Sequence, residues 1–319
     1  MAQVETVRGP VDADALGSTL MHEHVFVLNE EVRQNYPAAR DEDERVEDAI
    51  AKLNALAARG CQTIADPTVI GLGRDIRRIR RVAAGTSLNI IAATGLYTYN
   101  EVPLYFKFRG RGHGGLDQMA ELFIADIRDG IAGTPVKAAF LKCAIDDQGL
   151  TPGVERVLRA VGQAHAETGA PVTVHTHPHS GTGREAVRVL REHGTDLTKV
   201  VLGHSGDSTD LDYLTELADT GCLLGMDRFG LDLITPFEDR VATVAALCER
   251  GYAGSMVLSH DASCYIDWFP PEAVPAFAPA WHFEHLFDDV LPALRQRGVT
   301  EAQLDAMLVE NPRRYFGGM

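Results

Sequence analysis

Short apolar runs alternate with helix-like segments along the whole chain of 319 residues. Eight runs have the β-branched composition of buried strands, and eight segments have the apolar spacing of helices that bury one face. The predicted strands cover 19–25, 62–66, 89–94, 137–145, 171–176, 199–204, 222–227 and 255–260. The predicted helices cover 41–59, 73–84, 117–132, 152–168, 182–193, 209–220, 237–250 and 281–297.

Eight strand–helix repeats without a Pro/Gly/Ser-rich linker predict a single α/β domain over residues 1–319, folded as a (β/α)8 TIM barrel. A doubly wound open sheet is the alternative. Its nucleotide-binding version is disfavoured because no glycine-rich fingerprint follows the first predicted strand. The hydrophobic fraction of 45% supplies enough apolar side chains for a sizeable core.

Composition excludes several classes of partner. With 30 Lys and Arg against 45 Asp and Glu, the net charge of −15 argues against nucleic-acid binding. The first residues lack a secretory signal, and no stretch approaches the ~18 apolar residues of a membrane span. Five scattered cysteines without a CxxC pair are a poor disulfide framework. We therefore expect a cytoplasmic protein that binds neither membrane nor nucleic acid.

Residues that can bind metals fall near the carboxyl ends of the predicted strands. In a barrel these ends surround one mouth, where the active sites of this architecture lie. The sequence thus predicts a metal centre at the C-terminal ends of the strands, built from His22, His24, Lys142, His175, His204 and Asp261.

The motif His22-Glu23-His24 lies on the first predicted strand. Residues i and i+2 of a strand point to the same face, so both imidazoles are expected to face the barrel interior and Glu23 the helices. Two such imidazoles can share a divalent metal. Taken singly, a histidine on a strand is more often a hydrogen-bonded structural residue than a ligand, and Asp261 could cap the loop after the last strand.

Lys142 interrupts an apolar strand that should be buried, and a buried ammonium is costly. It could be paired with an acid or extend towards solvent. Alternatively, its amine reacts with CO2 to give N6-carboxylysine, a carboxylate able to bridge two metals. Two divalent ions balanced by Asp261, this carbamate and one hydroxide would leave a single positive charge, which makes the second interpretation plausible.

Ordered motifs extend over the chain: LMHEH at 20–24, DPTVIGLGRD at 66–75, ATGLYTY at 93–99, LKCA at 141–144, HTH at 175–177, GHSGD at 203–207, GMDRFGLD at 225–232, LSHD at 258–261 and ENP at 310–312. In these motifs the sequence closely resembles the phosphotriesterase-like lactonases, a branch of the amidohydrolase superfamily. The resemblance covers nearly the whole chain, and motifs in one order over such a length are highly specific.

The resemblance implies a binuclear centre. His22, His24 and Asp261 would bind the more buried metal, while His175 and His204 would bind the more exposed one. Carboxylated Lys142 and a hydroxide would bridge the two ions. The ions would be Zn, or Co, Mn or Fe, because such ligand sets accept all four. Family likeness also implies a homodimer.

Two positions distinguish branches of the family. Tyr97 and Arg228 stand where true phosphotriesterases carry Trp and His, and segments 31–37 and 265–268 resemble the acyl-homoserine-lactone group. We therefore expect a quorum-quenching lactonase for N-acyl-homoserine lactones with weak, promiscuous hydrolysis of organophosphates. The alternatives are a phosphotriesterase and a lactonase for other γ- or δ-lactones.

Each expected role follows from the chemistry of the side chain. The bridging hydroxide would be the nucleophile, Tyr97 would donate to the developing oxyanion, and Asp261 would carry the proton to the leaving alkoxide. Arg228 would line the lactone end of the pocket, unless it only pairs with Asp227 or Asp232. The remaining expected substrate contacts come from Tyr99, Cys264 and Trp268, the last within an apolar segment, 265–279, that we interpret as a lid.

Two other classes of function are a barrel that binds a ligand without catalysis and a mononuclear deaminase. A non-catalytic ligand-binding barrel predicts a broken ligand set, which this sequence does not have. A mononuclear deaminase of the same superfamily would fit the pair His22 and His24, but Lys142 on the fourth predicted strand argues against it.

Overall fold

The computed structural model describes residues 2–36, 42–110, 115–270 and 272–317. Pro37, the last residue of the motif at 31–37, lies outside them. Within the described residues the strands are β1 (Gln3–Thr6), β2 (Gly9–Asp12), β3 (Thr19–Leu20), β4 (His24–Val27), β5 (Thr63–Asp66), β6 (Asn89–Gly95), β7 (Phe140–Ile145), β8 (Val172–Thr176), β9 (Val200–Gly203), β10 (Leu223–Met226), β11 (Met256–Leu258) and β12 (Ser263–Ile266).

Eight parallel strands form one sheet in the order β3-β5-β6-β7-β8-β9-β10-β11, which follows the chain. Its two edges approach each other, because the amide of Met21 donates to the carbonyl of Leu258 over 3.4 Å. The sheet is therefore a nearly closed barrel, which confirms the predicted TIM barrel. The open doubly wound sheet, kept as the alternative, is wrong.

The first predicted strand, 19–25, is divided into β3 and β4 in the structure. The chain leaves the barrel sheet after Leu20, and β4 instead pairs with β12, with His24 opposite Ser263. His22 lies between the two short strands, where its carbonyl accepts from the amide of Asp261 over 3.0 Å. This break brings the His22-Glu23-His24 motif against the segment that follows the last barrel strand.

Seven of the eight predicted helices begin within three residues of their predicted positions. The α-helices of the described residues pack around the barrel and include short ones that were not predicted. They are α1 (Glu30–Asn35), α2 (Glu42–Ala58), α3 (Ile76–Ala84), α4 (Leu104–Arg109), α5 (Gln118–Arg128), α6 (Pro152–Thr168), α7 (Thr182–Glu192), α8 (Leu211–Asp219), α9 (Phe237–Glu249), α10 (Ala273–Phe277), α11 (Leu291–Gln296), α12 (Glu301–Asp305) and α13 (Asn311–Phe316).

Local chemistry explains several helix boundaries. The side chains of Asp75, Thr151 and Asp210 accept hydrogen bonds from amides in the first turns of α3, α6 and α8. Gly169 ends α6 in the left-handed conformation at φ 70°.

The last predicted helix, 281–297, differs from the structure, because a π-helical turn at Leu286–Val290 precedes α11. No helix among the described residues is both long and apolar enough to cross a lipid bilayer.

Strand alternation divides the core into two layers. On β7, Leu141, Cys143 and Ile145 pack outwards against the helices, while Phe140 and Lys142 share the opposite, inward-facing side of the strand. Phe140 belongs to the smaller apolar cluster inside the barrel, where α13 contributes Tyr315 and Phe316. The barrel interior is thus filled by side chains below Lys142, and polar groups concentrate at the opposite end.

Tyr315 tests how much the hydrogen bond between α13 and β8 stabilises the fold. Its hydroxyl is buried and lies 2.9 Å from the hydroxyl of Thr173 on β8. Tyr315→Phe leaves the Thr173 hydroxyl without this partner, so we expect the unfolding free energy in urea to fall by about 1–3 kcal/mol. Tyr36→Phe, at a position that is mostly exposed, is the control and should change it by less than about 0.5 kcal/mol. Equal effects of the two substitutions would contradict this assignment.

Candidate metal centre

Three predicted ligands meet at one point of the barrel mouth. The Nε2 atoms of His22 and His24 each lie 3.3 Å from Oδ1 of Asp261. The three ligand atoms are close enough to one another to hold a single metal ion. The structure therefore brings together residues that are more than 200 positions apart in sequence, as the barrel prediction required.

Three of the buried histidines have lowered pKa values, and burial is the main reason for the change. Burial lowers the pKa of His22, lowers that of His204 strongly, and lowers that of His175 to about 4. These rings are therefore neutral at pH 7. Neutral imidazole is the form that binds metal ions, so the electrostatics suit the predicted role.

Asp227, directly after β10, connects two of these histidines. Its Oδ2 lies 3.0 Å from Nδ1 of His22, and its Oδ1 lies 2.9 Å from Nδ1 of His204. The backbone amide of His204 also donates to Oδ1 over 2.7 Å. Because one carboxylate holds both Nδ1 atoms, the Nε2 atoms of both rings point into the centre. His22, His204 and Asp227 could by themselves also hold a metal ion.

The other two histidines have partners of their own. Nδ1 of His24 lies 2.7 Å from the hydroxyl of Thr68, whose hydroxyl in turn contacts the carboxylate of Asp66 at the end of β5. Nε2 of His175 contacts the carboxylate of Asp146. Its Nδ1 therefore faces the cavity. Hydrogen bonds of this kind fix the ring orientation of metal-binding histidines.

Lys142 lies within the same cluster, with its Nζ 3.2 Å from Nε2 of His22. It is only 1% exposed, and burial lowers its pKa to about 8. Gly95 makes room for this part of β7, because a Cβ at that position would lie 1.9 Å from the Lys142 carbonyl oxygen. The lysine does not reach solvent, and within the described residues it pairs directly with no acid; these were the two alternatives that the sequence left open.

Arg228 pairs with different acids from those expected. Its Nε lies 3.0 Å from Oδ2 of Asp261, and its Nη1 lies 2.9 Å from Oδ2 of Asp207. Neither Asp227 nor Asp232 is its partner. Although burial opposes ionisation of Asp261, the adjacent His204, His22 and Arg228 hold its pKa well below the ordinary value.

A cavity of about 260 Å³ opens above these groups. Its wall contains Tyr97, Tyr99, Arg228 and Trp268, all of which were expected to contact substrate.

Cys264, the remaining expected substrate contact, does not line this cavity. The buried thiol instead points towards the carbonyl of Ala49 on α2, 3.9 Å away. Neighbouring residues of a strand face opposite sides, so β12 turns Cys264 away while Ser263 lines the cavity.

Four acids that complete the site were not selected from the sequence as site residues: Asp66, Asp146, Asp207 and Asp227. Three of them are the last residue of a strand or follow one directly, at β5, β7 and β10. This is the same positional signal that identified the histidines, and it could have been applied to the acids. Their pairing with particular ring nitrogens could not, because it depends on the register of the strands.

Together the donor atoms suit divalent metal ions. Inward-facing imidazoles, an ionised carboxylate and a buried lysine lie within one cluster, and one nitrogen of each ring contacts a carboxylate or a hydroxyl. Oxygen and nitrogen ligands of this kind accept Zn, Co, Mn or Fe.

Asp227→Asn tests the shared carboxylate. An asparagine presents one carbonyl oxygen and one NH2 group, so it can accept from only one of the two Nδ1–H groups. We expect metal affinity to fall about 10–100-fold, measured by chelator competition with metal analysis of the purified protein. Asp232→Asn, on the exposed part of the same loop, is the matched control and should retain the affinity of the wild type. Unchanged affinity in Asp227→Asn would show that the rings are oriented by other contacts.

Lys142→Met tests the burial of the amine. Below pH 8 the folded, metal-free protein carries a buried ammonium, whereas the unfolded chain keeps its proton up to about pH 10.4. The wild type should therefore gain stability as pH rises from 8 to 10.4.

At pH 7 we expect metal-free Lys142→Met to be more stable than metal-free wild type by up to about 3 kcal/mol, with the difference lost above pH 10.4. Urea unfolding across this pH range measures it. Lys107→Met, at an exposed lysine, is the control and should show no such trend. A pH-independent difference for Lys142→Met would rule out the buried ammonium.

Comparison with known proteins gives a consistent result. The model of the phosphotriesterase family matches residues 2–316. The chain is 59% identical to a phosphotriesterase homology protein of Mycobacterium tuberculosis, over 99% of this chain and 98% of that protein. It is 41% identical to an aryldialkylphosphatase of Saccharolobus solfataricus, over 96% of each chain.

Solved structures agree. The structure of the phosphotriesterase from Mycobacterium tuberculosis superposes with a TM-score of 0.96 at 58% identity, covering 99% of this chain and 100% of that one. A second structure comes from engineering organophosphate hydrolysis into a weak promiscuous lactonase template. It superposes with a TM-score of 0.90 at 34% identity, over 99% of this chain and 100% of that one. The chain belongs to the phosphotriesterase family and is a metal-dependent hydrolase.

Proposed function

We propose that this hydrolase opens lactone rings, in particular those of N-acyl-homoserine lactones in quorum quenching, and hydrolyses organophosphate triesters weakly as a side reaction. The observation that carries the proposal is the placement of Tyr97 and Arg228 in the cavity wall beside the predicted metal ligands. A hydroxyl donor and a fixed cation at these points suit the carbonyl and ring oxygens of a lactone.

The centre would hold two divalent ions. His22, His24 and Asp261 would bind one ion, His175 and His204 would bind the other, and Lys142 as N6-carboxylysine would bridge them. When bound, the ions would supply a hydroxide at neutral pH and polarise the substrate carbonyl. The lowered pKa of Lys142, about 8, supports carboxylation, because only the neutral amine reacts with CO2.

Tyr97 would stabilise the developing oxyanion. Its hydroxyl lies 3.2 Å from Nδ1 of His175 and 2.6 Å from the hydroxyl of Tyr99. Burial raises the pKa of Tyr97 well above the ordinary value, so the phenol keeps its proton and can donate it in a hydrogen bond. A single well-placed donor of this kind contributes about 3–4 kcal/mol to transition-state stabilisation.

Asp261 would carry the proton. Its Oδ1 faces His22 and His24, while its Oδ2 accepts from Arg228. Arginine does not titrate in proteins, so a proton received by Asp261 cannot pass on to Arg228. It would remain on the carboxyl until the departing ring alkoxide takes it.

The apolar rim of the cavity supports an acyl substrate. Trp268, Phe269 and Phe277 line it from the segment 265–279, and all three are partly exposed. Exposed aromatic side chains at a barrel mouth favour contact with an apolar ligand. We propose that this segment covers the acyl tail, with Trp268 in contact with it.

Assembly and location are also proposals. Leu104, Tyr105 and Phe108 on α4 are exposed, which supports a homodimer that buries apolar surface. All five cysteines are buried and free, as expected for a protein of the reducing cytoplasm.

A phosphotriesterase is the second candidate. The relative named aryldialkylphosphatase, at 41% identity, favours it, because the same centre suits attack on phosphorus. Other γ- or δ-lactones are the third possibility.

Turnover of a long-chain and a short-chain N-acyl-homoserine lactone, beside an aryl dialkyl phosphate, tests the proposal. We expect the purified protein to give its highest kcat/KM with a lactone. Lys142→Ala should lose both turnover and most of the bound metal, whereas Lys107→Ala should lose neither. A higher kcat/KM for the phosphate would reverse the ranking. A metal-loaded protein without lactone turnover would contradict the lactonase assignment.

A further inference from the structure

Arg240 is a buried cation behind the cavity wall. It lies in the first turn of α9 and is 3% exposed. Its Nη2 lies 2.7 Å from Oδ1 of Asp207, the acid that also holds Arg228. Charged groups therefore alternate from the helix layer to the centre in the order Arg240, Asp207, Arg228 and Asp261. A buried charge is costly unless it is paired, so each member of this series depends on its neighbours.

The same guanidinium also binds backbone carbonyls of two loops. Its Nη1 donates to Gly206 over 2.8 Å, in the turn that follows His204. Its Nε donates to Thr235 over 3.1 Å, and its Nη2 approaches the carbonyl of Leu231 at 3.4 Å. The planar fork of arginine can hold several acceptors at once, which a lysine cannot.

The loop held in this way forms part of the cavity. Leu231, Leu233 and Ile234 line it, between β10 and α9. Arg240 itself is not among the lining residues, and its hydrogen-bond and ion-pair partners in the described part of the chain include none of the predicted metal ligands.

We infer that Arg240 is a positioning residue: it lies outside the cavity and strengthens substrate binding by holding the residues that line it. Through Asp207 it fixes the guanidinium of Arg228 against Asp261, and through the carbonyls of Leu231 and Thr235 it fixes the wall that surrounds the substrate. The inference rests on the proposed function in taking this cavity as the substrate site. It predicts an effect on substrate binding without loss of metal.

Arg240→Met removes the guanidinium and keeps an apolar side chain about as long as the aliphatic part of arginine. We expect kcat/KM to fall about 10–100-fold, mainly through a higher KM, on whichever substrate the wild type turns over. Metal content should match that of the wild type. Arg240→Lys keeps the ion pair with Asp207 but not all the carbonyl contacts, so its kcat/KM should lie between those of wild type and Arg240→Met.

Amide hydrogen exchange gives a readout that does not depend on activity. The amides of Leu231 and Ile234 donate within the loop over 3.2 and 3.0 Å, so they are protected while the loop is held. Exchange of segment 228–236 should be faster in Arg240→Met than in the wild type.

Arg78→Met is the matched control. Arg78 is also 3% exposed and also pairs with acids, namely Glu30, Glu42 and Asp75, but none of these lines the cavity. It should destabilise the protein yet leave KM and the exchange of segment 228–236 unchanged.

Unchanged exchange of segment 228–236 in Arg240→Met, or an equal rise in KM in Arg78→Met, would overturn the inference. Loss of metal in Arg240→Met would overturn it too. If the wild type fails to open lactones, the proposed function fails, while the exchange measurement still decides the role of Arg240.

Discussion

The burial of polar donors at one end of the barrel is the constraint on which the rest of the site depends. Five predicted ligands are only 1–6% exposed: His22, His24, Lys142, His175 and His204. Such groups lose their hydration and must be satisfied by the protein. The structure meets this requirement for the histidines with carboxylates and hydroxyls that contact one nitrogen of each ring, so the other nitrogen faces the centre.

The same requirement extends outwards from the centre. Asp261 is held by Arg228, which is held by Asp207, which is held in turn by Arg240. On another side, the buried carboxylate of Glu23 accepts hydrogen bonds from the hydroxyl of Ser259 and the amides of His260 and Ala262. It thereby joins the connection between β3 and β4 to the segment that carries Asp261. The closure of the barrel and the geometry of the site thus rest on one buried polar network.

Much of this arrangement could be predicted from the sequence, because composition and spacing report burial. Strand–helix alternation predicted the barrel, and chemistry at strand ends predicted the cluster around Asp261. The break between β3 and β4 could not be predicted, since it depends on the pairing of β4 with a strand that lies more than 200 positions away in the sequence. Nor could the outward turn of Cys264, which depends on the pairing of β12 with β4. Side-chain partners follow from register, which the local pattern leaves open.

Anomalous diffraction from crystals of the metal-loaded protein tests the central claim most directly. We predict two anomalous peaks at the barrel mouth, one beside His22, His24 and Asp261 and one beside His175 and His204. Electron density should extend from Nζ of Lys142 between them, as N6-carboxylysine requires. A single peak with an unmodified lysine, or peaks away from these residues, would contradict a binuclear centre built on this network.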